Sequence, residues 1–221
     1  MKSLRKKSVH TRKLTYLTAL TMVLALAGCS NTDDETPDLE ETTDASVSDP
    51  VEYIPASEDG PAENVPEPRL PEAVTKNTEE GATATLNYFW EAVDYARLTG
   101  DTEPLSLVSH EKCEFCGDHI EGWQTRYANG DWAVLHGEID IEVGLVKTHV
   151  DPDEHDEWAE ISFVLTEPPA DLYVEGKREV PESVDEESRA EWLADLSFDG
   201  SAQRWYVEWM GVIDPDEEST K

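Results

Sequence analysis

TEEGATATLNYFWEAVDYARLTGD, residues 78–101, carries both ends of a helix and its buried stripe. Thr78 supplies an N-cap hydroxyl, and Glu79 and Glu80 follow it at the positive end of the helix dipole. Ala82, Leu86, Phe89, Val93 and Ala96 recur at steps of four and three, and Thr99-Gly100-Asp101 provides the stop. A second helix is expected over 118–128, with Ile120, Trp123 and Tyr127 on one side and Gly130 beyond it. A short helical turn is expected at 104–108. From Trp132 the period changes from helical to two. Leu135, Ile139, Ile141, Val143 and Leu145 alternate with polar residues, which predicts one long strand with a wet and a dry face.

The acidic turn 151–157 leads into a second strand bearing Ala159, Ile161, Phe163 and Leu165, so a hairpin is expected. A short strand at 172–174 reaches Gly176 and a polar connection containing Pro181. The run Trp192, Ala194, Leu196, Phe198 reads as a strand or as a helix. Asp199-Gly200 and the alternation Trp205, Val207, Trp209 favour a final hairpin. Helices followed by antiparallel strands make the expected class α+β, with N-terminal helices packed on a curved antiparallel sheet. That order is similar to the nuclear-transport-factor-2-like cone.

Outward from this core the composition shifts. The chain has 221 residues with 50 acids against 17 Lys and Arg, a formal net charge of −33. Nucleic acid is excluded as a partner, because phosphate neutralisation needs clustered basic side chains. Hydrophobic residues at 38% and seven Trp still suffice for one core. Residues 30–78 hold seven of the 13 prolines, fourteen acids and a single aromatic, Tyr53. Such a stretch predicts an extended spacer that is dispensable for folding. The expected organisation is a signal at 1–28, a disordered acidic spacer at 29–69, the α+β domain at 70–215 and an acidic tail at 216–221.

Six of the basic residues lie before Cys29 and all of the acids lie after it. The basic start, the apolar run 14–27 and its small-residue end have the pattern of a secretory signal. The apolar run is shorter than the roughly twenty residues that span a bilayer as a helix. Leu26-Ala27-Gly28-Cys29 resembles a bacterial lipobox, which implies a diacylglyceryl thioether and an acyl chain (palmitate) on Cys29, and residence on the outer face of the cell membrane.

Leu70-Pro71-Glu72-Ala73, residues 78–82, Tyr88-Phe89-Trp90, Tyr95-Ala96, Thr99-Gly100-Asp101 and Cys113-Glu114-Phe115-Cys116 resemble an actinobacterial lipoprotein family of unknown function, domain of unknown function 6318. The likeness covers about 70–213. It implies surface residence and the cone fold, and it implies no activity. The acidic turn 151–157 is longer than that family's pattern.

Cys113 and Cys116 remain once Cys29 is assigned to lipid, and outside the membrane a local disulfide is expected. Two other readings stay open: a thiol–disulfide oxidoreductase, with Cys116 just ahead of a helix, and a zinc site of His110, Cys113, Cys116 and His119. Asp151, Asp153, Glu154, Asp156 and Glu157 alternate as weak calcium loops do, yet read first as a solvated hairpin tip. If the domain is a pocket enzyme, Tyr88, Tyr95, Tyr127, His136, Asp140 and His149 are the candidate residues. Trp90, Trp205 and Trp209 are expected in the core. The sequence has no glycine-rich phosphate loop, nucleophile elbow or His-Glu-x-x-His motif. The expectation is a lipid-anchored binding domain without cofactor, meeting an envelope protein or a small ligand. Its alternatives are an isomerase-like or hydrolase-like pocket enzyme and a redox protein.

Intact-mass analysis of the native protein should find a diacylglyceryl group on Cys29, and Cys29→Ser should lose it and leave the membrane fraction. An unmodified Cys29 in the native protein contradicts the anchor.

Overall fold

The computed structural model describes residues 52–151 and 156–213. The signal, the lipobox, the spacer up to residue 51, Asp153 and Glu154, and the tail 216–221 lie outside the described residues. Three α-helices come first among these: α1 (Glu79–Thr99), α2 (Glu103–Ser106) and α3 (Glu114–Ala128). Seven strands follow: β1 (Trp132–Leu135), β2 (Asp140–Asp151), β3 (Asp156–Glu167), β4 (Ala170–Val174), β5 (Lys177–Arg178), β6 (Ser188–Asp199) and β7 (Arg204–Val212). They form two antiparallel sheets, β2-β3-β6-β7 and β1-β4-β5, so the domain is α+β and neither sheet closes on itself.

Helix α1 starts and stops as its ends predict. Thr78 accepts a hydrogen bond from the Gly81 N–H at 3.2 Å, and Gly100 closes the helix at φ 73°. The stripe Ala82, Leu86, Phe89, Val93, Ala96 is buried, but so are Thr85, Tyr88, Trp90 and Ala92. Burial therefore wraps around much of the helix. The larger sheet covers one side through Ile161, Phe163, Leu165, Ala194, Leu196 and Val207. Trp205, fully buried, donates its indole N–H to the Lys76 carbonyl at 2.8 Å, just ahead of the cap. A Cβ on Gly81 would lie 2.0 Å from that same carbonyl, so only glycine lets the preceding 3₁₀ turn (Glu72–Thr75) sit so close.

The β region departs from strict alternation in three places. The long strand predicted from Trp132 is two strands in different sheets. The chain turns between them at residues 136–139, where the Ile139 N–H is donated to Asp94 Oδ2 at 3.0 Å. In β2 the pair Gly144-Leu145 stands opposite Ser162 alone, a bulge that inverts the faces beyond it and leaves Leu145 60% exposed. In β7 the pairing shifts between Val207 and Trp209, so Met210 is buried while Trp209 is half exposed instead of in the core. The run 188–199 is strand, and it forms the expected hairpin with β7.

Helix α3 begins four residues earlier than predicted. Cys113 is its N-cap, and its sulfur accepts from the Cys116 N–H at 3.2 Å. Sulfur can serve this role, but a hydroxyl or carboxylate is what an N-cap reading looks for.

The spacer reading is corrected from residue 52 onward. Ile54 and Glu63 exchange backbone hydrogen bonds of 2.9 Å, making a short bent strap. The Ser57 carbonyl accepts from Trp132 Nε1 at 2.9 Å, and Leu70 and Val74 pack on the core. Prolines and acids here stiffen a segment laid against the domain. A chain starting at Leu70 should therefore melt lower than one starting at Glu52, by roughly 3 to 8 °C for about 1 to 2 kcal/mol of lost contact. Equal melting temperatures in a calorimetric scan contradict this packing.

Candidate functional site

The strap does not close fully on α1. Between them lies a cleft of about 630 Å³, floored by the turn from β1 to β2. Its volume is in the range of small-molecule sites, roughly 300 to 1,000 Å³. Helix α1 contributes Asn87, Trp90, Glu91, Asp94, Tyr95 and Leu98, one line of successive turns. The strap adds Tyr53, Pro55, Ala56, Val65, Pro66 and Pro68, and the turn adds Leu135, Gly137, Glu138, Ile139 and Ile141.

Asp94 is the polar centre of this wall. Its Oδ2 holds the Ile139 N–H, while Oδ1 is buried without a hydrogen-bond partner and lies 3.7 Å from Arg97 Nη1. Burial raises the Asp94 pKa above the ordinary carboxylate range; the Ile139 N–H and Arg97 oppose the rise, and Glu138 and Glu167 add to it. Arg97 is itself buried and also faces Glu167 Oε1 at 3.5 Å.

Of the six predicted pocket residues, only Tyr95 lines the cleft. Its hydroxyl points toward Asp101 Oδ2 at 3.5 Å, and burial raises its pKa. Tyr88 is buried in the core, and Tyr127 donates to the Arg97 carbonyl at 2.9 Å. His136 bonds Asp171 Oδ2 at 2.9 Å on the surface, Asp140 is exposed, and His149 stacks on Trp158. The polar face of β2 simply meets water. Asp94 was missed because, next to the apolar stripe, it reads as an ordinary boundary residue. Its position one turn from both Trp90 and Leu98 was the available signal.

Cys113 and Cys116 are disulfide-bonded and buried, with Cα atoms 5.2 Å apart. The helix starts at Glu114 behind its Cys113 cap, so Cys116 lies within its first turn and not ahead of it. His110 sits 3.5 Å from Glu208, and the His119 ring packs at a tilt against Phe115 with Nδ1 bonded to the Phe115 carbonyl at 3.0 Å. The proposed zinc set is therefore not assembled. Among the described residues no group of three or more His, Cys, Asp or Glu converges to hold a metal ion. The acidic run lies partly outside the described residues, and its Glu157 accepts a hydrogen bond from Asn77 Nδ2.

The chain belongs to a family of unknown function, DUF6318, whose pattern matches residues 51–210. That span includes the strap. No curated protein matches the chain. Among solved structures it is similar to the intermembrane space region of the chloroplast protein ARC6, at 10% identity and TM-score 0.40, over 62% of this chain and 96% of that one. A likeness this slight transfers nothing. Among the described residues no helix is long and apolar enough to cross a membrane.

Burial lowers the pKa of His119. Its folded value thus lies below the unfolded one of about 6.5. Both states are neutral above that pH, and stability falls as pH drops below it, because the unfolded chain takes up the proton first. Compared by urea unfolding at pH 7.5 and 5.5, His119→Phe should gain stability relative to the unsubstituted protein as pH falls, because carboxylates of raised pKa such as Asp94 contribute equally to both. An identical pH response in the two contradicts the assignment.

Proposed function

We propose that this protein is a lipid-anchored lipoprotein on the outer face of an actinobacterial cell membrane, and that its domain binds a small ligand without catalysis. The cleft between strap and α1 carries the binding reading. It has apolar walls, a few convergent polar groups and one acid of raised pKa, the usual make-up of a ligand site. The anchor reading is supported by residues 1–29 alone. The nuclear-transport-factor-2-like cone is supported by a long helix lying on an antiparallel sheet, with the second sheet beside it.

A second reading, a pocket enzyme that moves a proton, is favoured by Asp94 and Tyr95 bordering the same cleft. The redox alternative has less support, since Cys113 and Cys116 are only 3% and 1% exposed and leave a substrate thiol little approach.

Fragment screening by amide NMR tests the cleft. Binding fragments should shift Glu138, Ile139 and the Trp90 indole, and Leu98→Trp, which fills the space, should abolish those shifts. Fragments that act only elsewhere, or none that bind, contradict a ligand site here. Turnover of a bound compound, lost in Asp94→Asn, would favour the enzyme.

A further inference from the structure

A second cavity lies away from the strap, among residues of α1, α3 and the smaller sheet. It shares no lining residue with the cleft. Its volume is about 130 Å³, room for about four water molecules, so an occupant has only a few non-hydrogen atoms. Trp123, Ala133 and Leu172 give it apolar walls, and Arg97 and Arg126 both line it.

The acids of this cavity are already engaged. Asp171 accepts from Arg178 Nε and bonds His136 Nε2 at 2.9 Å, and neither partner lines the cavity. Glu182 accepts from Arg126 Nη2 at 2.6 Å, and the same guanidinium lies over the Trp123 ring, 5.6 Å from its centroid.

Arg97 is the group left over. It is 9% exposed, and its Nη1 faces Glu167 and Asp94 at 3.5 and 3.7 Å, too far for good hydrogen bonds. Nε and Nη1 are enclosed, whereas Nη2 is neither enclosed nor hydrogen-bonded among the described residues. Arg97 lines this cavity and not the cleft, so Nη2 has its open side here. A guanidinium so deeply set keeps little of its hydration, and an anionic acceptor placed in the cavity offsets that loss.

We infer that this cavity takes a carboxylate on a short apolar group, from a free acid or from a peptide C-terminus. One oxygen accepts from Arg97 Nη2 and the other from Arg126, while the apolar group lies against Trp123 and Leu172. Glu182 displays the chemistry, since a carboxylate of the chain itself already sits on Arg126. It also competes with the ligand for that guanidinium. A phosphate dianion would bring a second negative charge beside Glu182 and Glu167, which disfavours it. The inference goes beyond the strap cleft and stands or falls without it.

Isobutyrate and its neutral isostere isobutyramide serve as probes, titrated into the full chain and followed by NMR at the Trp123 indole N–H and the Arg126 Nε–H. Isobutyrate should bind about tenfold more tightly, the worth of a charge-assisted over a neutral hydrogen bond. Arg97→Gln strips Glu167 and Asp94 of their cation and can fail to fold, so Arg126 and Glu182 carry the test. Arg126→Gln should narrow the gap between the probes. Glu182→Gln, which frees Arg126, should tighten isobutyrate several-fold and leave isobutyramide unchanged, a gain that a merely structural ion pair does not give. Gly-Gly-Ala and its C-terminal amide sort the source. Binding of the free-acid peptide alone assigns the cavity to peptide C-termini, failure of both peptides beside bound isobutyrate assigns it to free acids, and either supports a carboxylate site. Equal binding of isobutyrate and isobutyramide, binding of neither, or an isobutyrate affinity unmoved by Glu182→Gln would overturn it.

Discussion

The structure depends on covering one helix on nearly all sides. Surface helices keep a polar face toward water, yet α1 buries Leu86, Phe89, Val93 and Ala96 along one line and Tyr88, Trp90 and Ala92 on others. The larger sheet satisfies the first set. Helix α3 meets another side, with Tyr127 against Gly100, where a Cβ would fall 2.3 Å from the ring. The remaining side is left to the strap, which is proline-rich and can cover it only partly. The cleft is what that incomplete covering leaves.

The helix ends, the α+β class, the β2–β3 and β6–β7 pairs and most of the buried stripe were legible in the sequence, because each rests on local pattern. What was not legible depends on contacts between distant residues. The break between β1 and β2 is held by Asp94, 45 residues away from the amide it binds. The bulges at Gly144-Leu145 and Glu208 invert the faces that strict alternation assigns, which is why Leu145 and Trp209 meet solvent. The strap was misread for a related reason. Its composition matches that of disordered linkers, and only Trp132, in a strand far along the chain, reveals that it has a docking place. The candidate site followed the same rule: residues grouped along one strand faced water, while those that meet in the cleft come from three segments.

Asp94 is where fold and site coincide. A carboxylate half-buried between an amide donor and a guanidinium gives up hydration that these partners only partly replace. Its raised pKa reflects that deficit. The oxygen that makes no hydrogen bond faces Arg97 Nη1 at 3.7 Å, so an ion pair stands where that bond would be.

The central claim is that the strap is an ordered wall of the domain. Hydrogen exchange followed by NMR reads this directly at the Trp132 indole N–H and at the amides of Ile54 and Glu63, each of which donates within or onto the strap. The account predicts protection of roughly a hundredfold or more over free-peptide rates at all three positions. Exchange at free-peptide rates in the folded protein would contradict it.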